Sequence, residues 1–126
     1  MRMLVFALVI FALLLGFGTF SYYYIDHSAN SLLAGVNSME QGARAENWNQ
    51  VRKNFTDLQL TWDKTKPKWT ALLDHQELDN INITMSRVKE FMETRDKPGF
   101  MTELAELKIF IKHIPEKEAV NLANIF

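Results

Sequence analysis

The chain contains no cysteine among its 126 residues. Disulfides, thiol nucleophiles, zinc–thiolate sites and iron–sulfur ligation are therefore excluded together, although the compartment stays open. Charge of one sign is also lacking. The formal net charge is −1, and lysines and arginines are dispersed among acids, so no basic footprint for nucleic acid exists. The sequence holds no glycine-rich phosphate loop, nucleophile elbow, HExxH pair or dinucleotide fingerprint, and no cofactor is expected. Paired carboxylates such as Glu103 and Glu106 read as a solvated face. One domain and one membrane segment fit this length; two domains do not.

What is present is unevenly placed. Met3 to Phe20 is an apolar run in which Thr19 is the one clearly polar residue, and twelve of its residues are Leu, Ile, Val or Phe. As a helix this run covers roughly 27 Å, against a hydrocarbon core of about 30 Å. Tyr22, Tyr23 and Tyr24 follow, suited to a headgroup interface that satisfies both ring and hydroxyl. A cleaved signal peptide is the competing reading, with Thr19-Phe20-Ser21 as a weak processing site. The run is longer than the usual apolar stretch of such a peptide, and this favours an uncleaved anchor. Arg2 before the run and Asp26 after it place the N-terminus in the cytoplasm by the positive-inside tendency. Residues 1–24 are thus read as a single-pass anchor in the cell membrane, and residues 25–126 as an extracytoplasmic domain.

Beyond the anchor, helical periodicity recurs four times. Ile25, Leu32, Val36, Met39 and Ala43 share one stripe, which either begins a new helix or continues the anchor. Trp48, Val51, Phe55, Leu58 and Trp62 follow at 3-4 spacing, with Asn47 as N-cap and Gly42 near the end of the preceding helix. A third helix is expected to begin at Lys66-Pro67, where proline suits a first turn, the alternative being a kink inside one longer helix. It carries Leu78, Ile81, Met85, Val88 and Met92, and the run Asn80–Thr84 is poor enough in propensity to bend or break it. Asp96-Lys97-Pro98-Gly99 is a break. A fourth helix presents Phe100, Leu104, Leu107, Ile111 and Ile114, and Pro115 is expected to stop or bend it. The fold expected is all-α: an N-terminal transmembrane helix followed by an antiparallel up-down bundle of about four helices.

Candidate sites are few. His75 and Asp79 stand four apart on one helical face, and antiparallel counting from the turn near residues 95–98 brings His113 to the level of Asp79. Two histidines and a carboxylate are a known ligand set for zinc or iron, but an i,i+4 His–Asp pair more often makes a local polar contact. Trp62 and Trp69, which flank Lys64–Pro67, are either groove residues or hairpin core, with core favoured at this spacing. The tail ends in Leu122, Ile125 and Phe126, apolar enough to pack back on the bundle or meet a partner. The sequons at Asn54 and Asn82 fall inside helices and carry no reading.

Trp62…Trp69-Thr70-Ala71-Leu72-Leu73-Asp74-His75-Gln76-Glu77-Leu78-Asp79-Asn80-Ile81, then Glu103-Leu104…Leu107, then Asn121-Leu122-Ala123-Asn124-Ile125-Phe126, resembles domain of unknown function 4363. This is a family of short membrane-anchored helical proteins from Gram-positive, often spore-forming bacteria. The resemblance implies a bacterial source, a single membrane helix and no assigned activity. It draws attention to the His75 region and the terminal Asn124-Ile125-Phe126.

The functional expectation is a non-enzymatic interaction or accessory protein of the cell envelope. It would meet an unidentified protein partner through Trp62, Trp69, His75, Ile125 or Phe126. An extracytoplasmic ligand-binding or sensor-like domain is the alternative, and a metal-dependent enzyme built on His75, Asp79 and His113 ranks third.

Overall fold

A computed structural model describes residues 1–125, with side chains through Asn124. It contains four helices: α1 (Arg2–Arg44), α2 (Trp48–Leu72), α3 (His75–Glu93) and α4 (Lys97–Ile125). Turns of two or three residues force each helix antiparallel to the one before. Each helix packs on two neighbours, in the ring order α1, α2, α3, α4 and back to α1, with the α2–α3 contact the thinnest.

The four stripes read from spacing are the core. Ile25, Leu32, Val36, Met39 and Ala43 on α1 meet Val51, Phe55, Leu58 and Trp62 on α2. Leu78, Ile81, Met85, Val88 and Met92 on α3 meet Phe100, Leu104, Leu107, Ile111 and Ile114 on α4. The half-buried Trp48 sets its ring edge-on to Phe100 at 5.4 Å.

The first core stripe continues the helix of the apolar run. α1 runs through residues 24 and 25 without a break. At 1.5 Å per residue its 43 residues extend about 65 Å, roughly twice the length of α3. Its first half projects beyond the bundle, and the most apolar 18-residue window of that half has no buried residue. This helix is long and apolar enough to cross a membrane. The end of the bundle from which it projects is called proximal below.

The two distal turns share one design. After α1, Glu46 donates its N–H to Ala43 O and Asn47 donates to Gly42 O, with Glu46 at φ 56°. After α3, Arg95 donates to Met92 O and Asp96 to Phe91 O, with Arg95 at φ 55°. Both are Schellman closures that hold a non-glycine residue in the left-handed region. Asn47 and Asp96 then cap the next helix, their side chains accepting from Gln50 N and Gly99 N. Helix α1 thus continues two residues beyond Gly42.

Three expected boundaries are corrected. Pro67 does not open a helix: it lies inside α2, exposed, and the break comes at Leu73-Asp74. The stripe Trp62, Thr65, Trp69 is buried across it, and that burial outweighs the roughly 3 kcal/mol an interior proline costs. Asp74 starts α3 by accepting from Gln76 N. The Asn80–Thr84 run stays helical because tertiary contacts override propensity: Ile81 and Thr84 are buried, and Asn82 Oδ1 accepts the indole N–H of Trp62 at 2.8 Å. Pro115 does not end α4, which continues as the longest of the three later helices. Its last turns overshoot the proximal turn and lie along the projecting half of α1, where Leu122 approaches Gly18.

Candidate functional site

The proximal end holds two concavities beside the last turns of α4. In the core, the indole rings of Trp62 and Trp69 pack edge-to-face at 5.7 Å. Trp69 donates its indole N–H to the Ser28 hydroxyl of α1 at 2.8 Å. Both tryptophans are fully buried, so the pair is core and presents no surface to a partner. An aromatic face could have done so only on the outward side of α2, and the hairpin packing turns both rings inward.

Two concavities flank the last turns of α4. The first lies between α3 and α4, encloses about 330 Å³ and is lined by residues including Asp74, Glu77, Asn80, His113 and Lys117. Lys117 Nζ donates to Glu77 Oε1 at 3.0 Å, which raises the lysine above its ordinary value. With Asp74 engaged as an N-cap and Glu77 paired, the groove offers hydrogen bonding but no free nucleophile–base couple.

The second lies between α1 and α4, with Leu72 of α2 among its lining residues. It encloses about 190 Å³, and Phe17, Ser21, Tyr22, Glu118, Asn121 and Leu122 line it. The Ser21 hydroxyl is buried without a hydrogen-bond partner. Burial pushes the Glu118 carboxyl above its ordinary value, and Glu77 adds to the effect. The spacing Leu107, Ile111, Ile114, Glu118 places this acid on the core stripe. Carrying the stripe past Pro115 would have singled it out.

The metal triad is not assembled. His75 and Asp79 are exposed on α3, while His113 faces the α3–α4 groove beside Asp74 and Lys117. Among the described residues no group of three His, Cys, Asp or Glu could hold a metal ion. The helical phase explains this: Leu78 and Ile81 point inward, so positions 75 and 79 point out. His75 remains a surface residue. Phe126 and the side chain of Ile125 lie outside the described residues.

The model of the family described as Domain of unknown function (DUF4363) matches residues 19–125, from the last residues of the apolar run to the end of α4. The chain belongs to this family. No curated protein and no solved structure matches it.

Proposed function

We propose that this DUF4363 member is a membrane-anchored, non-enzymatic accessory protein of the cell envelope, whose bundle stands outside the cytoplasm and engages a protein partner. The observation that carries the reading is the apolar half of α1. Met3, Leu4, Phe6, Leu13, Leu14 and Phe17 are all more than half exposed, on a helix that enters the bundle core without interruption. The twelve Leu, Ile, Val and Phe side chains of Met3–Phe20, at a few tenths of a kcal/mol each, favour insertion by roughly 4–7 kcal/mol. Contact between Gly18 and Leu122 ties the run to the bundle and favours an anchor over a discarded leader. Exposed Ile83 and Ile109 on α3 and α4 supply apolar contacts for a partner. Crosslinking in intact cells followed by affinity purification of the full chain tests the partner. A specific crosslinked adduct supports it, and a monomer with no adduct speaks against it.

A second reading, a small-ligand or sensor-like domain, is favoured by the α3–α4 groove, whose volume falls at the lower end of ligand sites. Reproducible thermal stabilisation by one ligand class, abolished by Lys117→Ala, would promote it.

A further inference from the structure

We infer that the cleft between the Phe17–Ile25 stretch of α1 and the last turns of α4 binds the primary ammonium head of a membrane lipid. The inference rests on α1 lying in a membrane. The cleft then stands at the level of the Tyr22–Tyr24 belt, where headgroups begin.

Its size selects a head rather than a whole ligand. About 190 Å³ is several times the roughly 30 Å³ share of one water and below the range of about 300–1,000 Å³ typical of drug-sized sites. Its chemistry selects a cation with N–H donors. Glu118 and Asn121 among its lining residues carry acceptor oxygens. An ammonium has three donors for such a set. Phe17 and Tyr22 are among the residues lining the same space, and aromatic side chains attract cations. No lysine or arginine is among the described lining residues, and the neighbouring Lys117 is held by Glu77. An anionic head would therefore be repelled by Glu118, which forms no ion pair among the described residues, whereas an ammonium gives that carboxylate a direct counter-charge. The acyl chains join the lipid around the exposed Leu14 and Phe17.

The test reconstitutes the full chain in vesicles of phosphatidylethanolamine, phosphatidylglycerol and phosphatidylcholine in equal amounts. The chain is then extracted in mild detergent, and retained lipid is read by native mass spectrometry. Phosphatidylethanolamine retained in preference to the other two supports the inference. Loss of that retention, on the order of tenfold, is expected in Glu118→Gln and in the cleft-filling Ser21→Leu. Glu116→Gln, an exposed neighbour, should retain the lipid as the parent does. Circular dichroism confirms that the variants fold. Equal retention of phosphatidylcholine, which has no N–H, or unchanged retention in Glu118→Gln overturns the inference. Carbonate washing of the same vesicles separates the two claims. A chain washed off the bilayer overturns the anchor and the lipid site together, whereas a retained but unselective chain overturns the lipid site alone.

Discussion

Trp69 on α2 donates its indole N–H to the Ser28 hydroxyl on α1 at 2.8 Å, and that hydroxyl donates in turn to Tyr24 O, also at 2.8 Å. The three groups form a chain that ties the proximal end of α2 to the helix that carries the apolar run. Ser28→Ala leaves the buried indole N–H without an acceptor, and its expected cost is about 1–3 kcal/mol. Ser28→Ala combined with Trp69→Phe removes both partners, so the two costs should combine to less than their sum. Guanidinium unfolding in detergent, followed by tryptophan fluorescence with circular dichroism for the Trp69 variants, measures the non-additivity.

The turn between α3 and α4 makes two predictions of opposite sign. A Cβ on Gly99 would lie 2.6 Å from the ring of Phe91, so Gly99→Ala should destabilise by about 1–3 kcal/mol, and Phe91→Leu in the same chain should recover part of it. Gly16→Ala, inside α1 with nothing within 4 Å, is the clash-free control and should not destabilise. Arg95 at φ 55° is held where glycine is favoured, so Arg95→Gly should stabilise by about 0.5–1 kcal/mol. Thermal melts of the four variants decide both.

Two carboxylates should make opposite contributions to the pH dependence of stability. Glu40 accepts from Lys108 at 2.8 Å and from Arg44 at 2.7 Å, and these hydrogen bonds, that of Lys108 first, hold it below its ordinary 4.5. The folded state therefore binds its proton more weakly than the unfolded state. Its stabilisation is present above 4.5 and disappears as pH falls through the lowered value. Glu40→Gln should show a smaller loss of Tm on acidification. Glu118 is raised by burial, so the folded state binds its proton more tightly. Stability then falls as pH rises from 4.5 through the raised value. Glu118→Gln should melt above the parent at neutral pH and converge with it below 4.5. Parallel melting curves for parent and variants would contradict both assignments.

The absence of cysteine makes topology directly measurable. Ser38→Cys, exposed on the bundle half of α1, should react in intact cells with a maleimide that cannot cross membranes. Labelling only after lysis would place the bundle on the cytoplasmic side and reverse the orientation argued from Arg2.

Legibility in the sequence followed the kind of force at work. Every residue quoted for the α1 stripe and the α4 stripe is buried, because a helix burying one face must repeat apolar side chains near a period of 3.6. Asn47 capped as expected because a cap is a local hydrogen bond. Pro67 misled because its local preference for a first turn was set against Trp62 and Trp69, whose burial depends on α1 and α3. The proposed triad of His75, Asp79 and His113 placed its residues at about the right height but not at the right angle around the helix, since counting residues from a turn gives level and only packing gives phase.

The amino-acid sequence alone determined the class of fold, the four core stripes and the apolar run long enough to cross a membrane, since each depends on side chains near one another along the chain. Tertiary structure decided that α1 both carries the apolar run and forms the first bundle helix, that α2 runs through its proline, and that the end of α4 returns along α1 to bring Glu118 and Asn121 into one cleft with Ser21. These outcomes compare burial on one helix with burial on another. That comparison has no value until the helices are side by side.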